Sequence, residues 1–174
     1  MTSLHGTPVP GEFGREAANR LKDAAAPGLD GALAALESFY HAFNRRDDTL
    51  LAAVWADAPL VQLNNPLGGI LRGIGPITEL YARVFHGPAR VWVAFSDVVA
   101  FEGGDMIAFA GRETGEFVLG ETVIPLHIRT SRVFARVEGE TTRCWRQVHH
   151  HGSIDDAGLL GRYQRAVRGA DTIS

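Results

Sequence analysis

The sequence predicts an α+β fold in which a curved antiparallel sheet packs against helices that precede it. Residues 15–55 carry apolar side chains at three- and four-residue intervals, as amphipathic helices do, whereas residues 90–151 are typical of long strands joined by tight turns. Of the 174 residues, 45% are apolar and 21% are charged, which suits one buried core. We expect a single domain over residues 14–168 and a tail over residues 169–174.

The N-terminal segment is predicted to be a flexible lead-in followed by a helix. Residues 1–13 hold two prolines and two glycines among few apolar side chains, so we expect a flexible segment that carries no chemistry. Residues 15–26 are rich in alanine and have a helical pattern. Pro27 and Gly28 end this pattern, because proline removes a hydrogen-bond donor and glycine frees the backbone.

The next segments are predicted to be helices that lie on the sheet. Asp30 is expected to cap a helix that runs to about Arg45, and a short helix follows up to Trp55. A brief strand with turn residues covers 60–73, and a helix with proline in its first turn covers 75–85. The longer helix has one broad apolar face, formed by Leu33, Leu36, Phe39, Tyr40 and Phe43.

The C-terminal half is predicted to be a meander of four long strands and one helix. The strands are rich in β-branched and aromatic residues and cover 90–101, 105–119, 122–137 and 142–153. The final helix is predicted from Asp156 to about Val167. Its apolar side consists of Leu159, Leu160, Tyr163 and Val167.

Composition and charge exclude several classes of function. The net charge of −3 gives no basic surface for phosphate groups, so we expect no nucleic-acid partner. No apolar run is long enough to span a membrane, and the first residues lack the pattern of a signal peptide. The single cysteine, Cys144, excludes an internal disulfide and fits a reducing cytoplasm. We expect a cytoplasmic protein without a cofactor.

The alternation of side chains along each strand indicates which residues face a cavity between the sheet and the helices. In strand 122–137 the more apolar set includes Arg132, and a buried guanidinium needs an anion or several acceptors. In the last strand Trp145 suggests that its own set faces inward. That set is Trp145, Gln147, His149 and His151. On this interpretation His150 faces away from the cavity.

The order of elements resembles the nuclear transport factor 2-like superfamily, a cone-shaped, cystatin-like fold that includes SnoaL-like proteins, ketosteroid isomerases, scytalone dehydratases and polyketide cyclases. The closing strands are similar to the association domain of calcium/calmodulin-dependent protein kinase II and its bacterial relatives. The matching residues are Ser131, Arg132, Val133, Phe134, Trp145, Val148, His149, His151 and Ser153. The likeness covers about residues 30–153. It implies that Arg132 lines a pocket for small carboxylates, whereas a second pocket arginine of that family is replaced by Gly152.

The candidate site combines an inward histidine pair with polar residues around the cavity. We interpret His149 and His151 as the catalytic pair, which would donate hydrogen bonds or move a proton. The candidate ligand-binding residues are Arg132, Tyr40, Tyr81, Asn64, Trp145 and Gln147. Three alternatives stay open. The histidines could form hydrogen bonds only with their neighbours. They could share a metal, although we expect none because no third ligand is evident. Arg132 could form an ion pair with Glu113 or Glu121.

These features predict a protein that binds a small anionic or carbonyl-bearing organic molecule in its cavity. If it is an enzyme, the expected chemistry is cofactor-free isomerisation, dehydration or cyclisation. The alternative is a non-catalytic association module with a vestigial or regulatory pocket. We expect a homodimer through the half-apolar outer face of strand 122–137. That face consists of Val123, Pro125, His127, Arg129, Ser131 and Val133.

Overall fold

The computed structural model describes residues 6–139 and 141–171. The N-terminal elements are β1 (Gly6–Val9), a 3₁₀ turn (Leu21–Ala25), α1 (Gly28–Arg45) and α2 (Asp48–Val54). The middle of the chain holds β2 (Gln62–Asn64), β3 (Ile70–Arg72) and α3 (Ile74–His86). The C-terminal half holds β4 (Arg90–Gly103), β5 (Met106–Leu119), β6 (Thr122–Val137), β7 (Cys144–Ser153) and α4 (Ala157–Asp171).

Seven strands form one sheet in the order β1-β4-β5-β6-β7-β2-β3. Strands β4 to β7 pair antiparallel in sequence order, as the turn residues between them predict. Strand β2 runs parallel to β7 and carries β3 as the edge of the sheet. The predicted α+β fold with a four-strand meander is therefore confirmed.

Helices α1 and α2 begin and end close to the predicted positions. Pro27, in an extended conformation, precedes α1, so Asp30 lies inside the first turn and is not the cap that the sequence predicts. Helix α1 ends where Arg46 takes a left-handed conformation. Asp47 caps α2, because its Oδ1 accepts a hydrogen bond of 2.8 Å from the amide of Leu50.

The predicted flexible lead-in is wrong for the residues that the structure describes in it. Gly6–Val9 pairs antiparallel with Val98–Phe101 at the edge of the sheet, and Phe13 exchanges two backbone hydrogen bonds of 2.9 Å with Phe95. The open edge of β4 offers unpaired backbone groups, which supply the partners that the local sequence does not indicate. Pro8 is tolerated in such an edge strand. Residues 1–5 lie outside the described residues.

The predicted helix over residues 15–26 is reduced to the 3₁₀ turn. The segment before this turn is held by side chains of α1, which satisfy its backbone amides. The amide of Ala18 donates to Glu37 at 3.0 Å, and the amide of Arg20 donates to Ser38 Oγ at 2.8 Å. These tertiary contacts override the helical preference of the alanines.

Helix α1 packs across the concave face of the sheet and forms the centre of the core. The ring of Tyr40 stacks on Phe95 of β4 at 5.5 Å, and Phe39 meets Tyr81 of α3 edge to face at 6.0 Å. Helix α4 runs beyond the predicted end at Val167 and covers part of the same face. Among the helices of the described ranges, none is both long enough and apolar enough to cross a membrane.

Candidate functional site

A β-bulge in β7 determines which histidine faces the interior. Val133 of β6 pairs with His149, but the next residue, Phe134, pairs with Gln147, so Val148 has no partner in the ladder. One extra residue in a strand reverses the orientation of every side chain beyond it. His150 is therefore buried, with 5% of its surface exposed.

The predicted orientation of the histidine triplet is wrong beyond the bulge. His151 is exposed, and His149 is only partly buried; neither lines the cavity described below. Asn64 of β2 lies on the same side as His151, with 3.1 Å between its Nδ2 and His151 Nδ1. Three predicted site residues, His149, His151 and Asn64, therefore lie outside the cavity. His150 faces the interior in place of the predicted pair.

The cavity has a volume of about 640 Å³ and lies between the sheet and helices α1, α3 and α4. Its walls are mainly apolar and include Phe39, Phe43, Leu80, Val91, Phe117, Leu126, Ile128 and Val167. Arg83, His86 and Pro88 are exposed and mark the rim. Inside this rim the cavity is lined by six residues with polar side chains: Asn65, Tyr81, Glu113, Arg132, His150 and Tyr163. A volume of this size suits a small organic molecule.

An ion pair between Arg132 and Glu113 lies at the polar end of the cavity. Arg132 Nη2 donates to Glu113 Oε1 at 2.8 Å, and both side chains are almost fully buried. Arg132 also donates to the hydroxyl of Tyr40 at 2.9 Å and to Oε1 of Gln147 at 3.0 Å. Its guanidinium carbon lies 3.6 Å from the centre of the Phe39 ring. Of the two predicted roles for Arg132, the structure shows the internal ion pair with Glu113.

Only one oxygen of the Glu113 carboxylate is used in these contacts. The hydroxyl of Tyr40 donates to Oε1 at 2.5 Å, and Arg132 donates to the same oxygen. Within the described part of the chain, no group donates a hydrogen bond to Oε2 of Glu113. Because Glu113 lines the cavity, its second oxygen is the one left for a ligand.

His150 is a buried histidine whose two ring nitrogens form no hydrogen bonds with the described residues. Neither Nδ1 nor Nε2 has a hydrogen-bond partner among the described residues. Burial, and after it the charge of Arg132, lowers the pKa of His150 well below its ordinary value, so the ring is neutral at pH 7. A neutral imidazole has one donor and one acceptor, and buried groups of this kind are normally satisfied.

Two tyrosine hydroxyls also belong to the polar surface of the cavity. Burial raises the pKa of Tyr81 to about 12 and also raises the pKa of Tyr163 to about 12, the latter with a contribution from the charge of Glu113. Both groups therefore stay protonated at neutral pH and can donate hydrogen bonds. Tyr81 was predicted as a ligand-binding residue, and the structure places it in the cavity wall.

The remaining predicted ligand residues lie behind the cavity wall. Tyr40 and Gln147 are fully buried and contact Arg132, so they orient the guanidinium without lining the cavity. Trp145 is fully buried against the start of α1, where its Nε1 donates to the carbonyl oxygen of Ala26 at 3.1 Å. Trp145 is thus a core residue that faces inward, as predicted, but away from the ligand space.

Gly152 is packed too closely for the arginine that the resemblance suggests at this position. A Cβ on Gly152 would lie 2.5 Å from Cγ of Pro66. The loop between β2 and β3 therefore occupies the space that a side chain would need. A second arginine cannot enter the cavity here without displacement of this loop.

The described ranges hold no group of three or more His, Cys, Asp or Glu side chains arranged to bind a metal. The chemistry that the site can perform with its own residues is proton transfer and hydrogen bonding. Glu113 can accept a proton, whereas Tyr81, Tyr163 and the neutral ring of His150 can donate hydrogen bonds.

The sequence and fold were compared with known proteins. The SnoaL-like domain model matches residues 32–156. No curated protein matches the sequence. Among solved structures, a proposed dehydratase of the nuclear transport factor 2-like family from Streptomyces avermitilis is 22% identical, with a TM-score of 0.59 over 71% of this chain and 93% of the relative.

Two further solved structures show the range of proteins with this fold. A proposed calcium/calmodulin-dependent protein kinase type II association domain from Thiobacillus denitrificans is 25% identical, with a TM-score of 0.55 over 71% of this chain and 94% of that one. An LEH-like epoxide hydrolase from M. tuberculosis is 18% identical, with a TM-score of 0.56 over 82% of this chain and 96% of that one.

Proposed function

Because the chain belongs to the SnoaL-like domain family, with the nuclear transport factor 2-like fold, we propose that its cavity binds a small, mostly apolar organic molecule that carries a carbonyl or hydroxyl group. We further propose that Glu113 moves a proton to or from this molecule without a cofactor. The resemblance to this superfamily, stated from the sequence, is confirmed by the matches.

The observation that supports ligand binding most directly is the state of His150. A buried polar group without a partner costs about 1–3 kcal/mol, so most buried polar groups in folded proteins have a partner. His150 borders a cavity of about 640 Å³ whose walls are mainly apolar. A bound molecule with one polar group would satisfy the imidazole and fill the apolar space together.

The charges around the cavity favour a neutral ligand over an anionic one. The positive charge of Arg132 is already compensated by Glu113 at 2.8 Å. A carboxylate ligand would have to compete with Glu113 for the same guanidinium and would add a second buried negative charge. Of the two ligand types that the sequence suggests, we therefore propose the carbonyl-bearing one.

Glu113 is the group placed to move a proton. Arg132 and Tyr40 hold its Oε1 from behind, so the carboxylate cannot rotate away from the cavity. Its Oε2 would accept a proton from carbon next to a carbonyl group, or from a hydroxyl group. A donor such as Tyr81 would stabilise the charge that develops on the ligand oxygen. Isomerisation, dehydration and cyclisation can each begin with such a proton transfer.

Three small probes test ligand binding and its charge preference. Thermal unfolding would be followed with 2-acetylnaphthalene, with 2-isopropylnaphthalene, which lacks the oxygen, and with the anionic 2-naphthoate. We expect the unfolding temperature to rise most with 2-acetylnaphthalene, less with 2-isopropylnaphthalene and least with 2-naphthoate. Glu121→Gln, which changes an exposed turn residue, is the control, whereas His150→Leu should reduce the preference for the carbonyl probe. Equal or stronger stabilisation by 2-naphthoate would contradict the proposal.

Exchange of the methyl protons tests the proton transfer. In heavy water, bound 2-acetylnaphthalene should exchange the protons next to its carbonyl group faster than the free probe does, and mass spectrometry would detect the gain of deuterium. Glu113→Gln should abolish this acceleration, whereas Glu121→Gln should keep it. Binding without acceleration in the wild-type protein would limit the function to ligand binding.

The second candidate is a non-catalytic association module. It is favoured by the likeness to the association domain from Thiobacillus denitrificans and by the outer face of β6, where Val123 is 53% exposed. We propose that a second copy of the chain covers this face in a homodimer. Light scattering at micromolar concentration would give twice the mass of 18.8 kDa for a dimer, and the monomer mass would contradict it.

A further inference from the structure

Helix α4 adds a wall to the cavity from outside the matched SnoaL-like region. The match ends at residue 156, and α4 begins at Ala157. Tyr163 and Val167 on this helix line the cavity. The segment that follows the family domain therefore contributes directly to the site.

Tyr163 is positioned by its ring and leaves its hydroxyl group for another partner. The ring meets Phe117 of β5 edge to face, with 5.3 Å between the ring centres. No hydrogen bond joins the hydroxyl to any group in the described ranges. Glu113 and Tyr163 line the same cavity. The position of the Tyr163 hydroxyl is that of a donor for a ligand oxygen near Glu113.

The attachment of α4 suggests that it can move. Leu159 near its start is buried, whereas the central part of the helix is only partly buried. A side-chain hydrogen bond of 3.0 Å from Gln164 Nε2 to the carbonyl oxygen of Leu67 joins the central part of α4 to the loop between β2 and β3. A helix held mainly by partly buried apolar contacts of this kind can open and close with a ligand.

We propose that α4 closes the cavity over a bound molecule and that Tyr163 donates a hydrogen bond to the carbonyl or hydroxyl oxygen of that molecule. This inference rests on the proposed function, since it names the residue that selects an oxygen-bearing ligand. Tyr163 gives the site a preference for an oxygen atom that the apolar walls alone would lack. Gln164 holds the helix in the closed position.

Calorimetric titration of the full chain with the two uncharged probes tests the role of Tyr163. In Tyr163→Phe, 2-acetylnaphthalene should bind about three- to tenfold more weakly, which corresponds to the loss of one hydrogen bond, and 2-isopropylnaphthalene should bind as in the wild type. Arg162→Gln, an exposed neighbour on α4, should leave both affinities unchanged. The carbonyl stretching band of bound 2-acetylnaphthalene should move to higher frequency in Tyr163→Phe.

Hydrogen exchange tests the closure. Amide exchange over residues 159–168 should slow when 2-acetylnaphthalene is bound, and it should be faster in Gln164→Ala than in the wild type. The inference is overturned, while the proposed function stands, in either of two cases. One is that Tyr163→Phe binds both probes as tightly as the wild type does. The other is that the rate of amide exchange in α4 does not change when the probe is bound. If the wild type binds neither probe, both the proposed function and this inference are contradicted.

Discussion

Arg132 on β6 and His150 on β7 stand directly opposite each other in the antiparallel ladder, and both side chains face the cavity. The guanidinium is held by Glu113, Tyr40 and Gln147, whereas the imidazole has no hydrogen-bond partner among the described residues. A satisfied cation thus lies beside an unsatisfied neutral ring. This contrast marks His150 as the group that a ligand is expected to engage.

Removal of one partner of the buried ion pair should be strongly destabilising. Glu113→Gln and Arg132→Met each leave a buried polar or charged group uncompensated, so the free energy of unfolding should fall by about 3–5 kcal/mol. Urea denaturation would measure both. The double variant Glu113→Gln/Arg132→Met should lose less than the sum of the two, and strict additivity would contradict the coupling that the structure shows.

Replacement of His150 by an apolar residue should stabilise the ligand-free protein. His150→Leu removes a buried imidazole with two unsatisfied nitrogens, so the free energy of unfolding at neutral pH should rise by about 1–2 kcal/mol. Arg162→Leu at an exposed position of α4 should change it by less than about 0.5 kcal/mol. A loss of stability in His150→Leu would mean that the ring has a partner in the folded protein.

The stability of the protein should fall in mild acid because of His150. Its pKa is lowered in the folded state, so below about pH 6.5 the unfolded chain takes up a proton that the folded chain does not. The free energy of unfolding should therefore decrease by up to about 1.4 kcal/mol for each pH unit below that point, until the pKa of the folded state is reached.

The His150→Leu variant should lack this part of the pH dependence. His127→Gln is the matched control, because it leaves His150 in place and should keep the dependence. Denaturation curves at several pH values between about 7.5 and about 5 would compare the three proteins. An unchanged slope in His150→Leu would assign the acid sensitivity to other groups.

A side chain at Gly152 should destabilise the loop that borders the cavity. In Gly152→Ala the new Cβ would lie 2.5 Å from Pro66 Cγ, and the overpacking should cost about 1–3 kcal/mol. The additional change Pro66→Ala should recover part of this loss. Gly75→Ala, where no atom lies within 4 Å of the added Cβ, should be neutral or slightly stabilising. Similar losses at Gly152 and Gly75 would contradict the steric explanation.

Most of the fold was predictable because the patterns that define it are local. The three- and four-residue spacing of Leu36, Phe39 and Tyr40 identifies the buried face of α1, and the alternation in β6 correctly places Arg132 inside. Strand β1 was not predictable in this way, because four residues acquire their structure only from the open edge of β4.

The errors at the site have one main physical cause, which is the bulge at Val148. Unbroken alternation from Trp145 predicts that His149 and His151 face the cavity and that His150 faces outward. The sequence has no mark for a bulge without glycine. The alternation does identify Glu113, a predicted partner of Arg132, as an inward residue, since it lies on the same face of β5 as Phe109 and Phe117. Tyr163 could not be identified in this way, because its contact with the cavity depends on where α4 docks.

The most direct test of the central claim is the response of the imidazole nitrogens to a bound probe. Proton–nitrogen NMR spectra of protein with isotope-labelled histidine would be recorded with and without 2-acetylnaphthalene. We expect a neutral His150 ring at pH 7, and we expect its nitrogen shifts to change on addition of the probe while those of His149 and His151 stay constant. Shifts confined to His149 and His151, with His150 unaffected, would contradict the account.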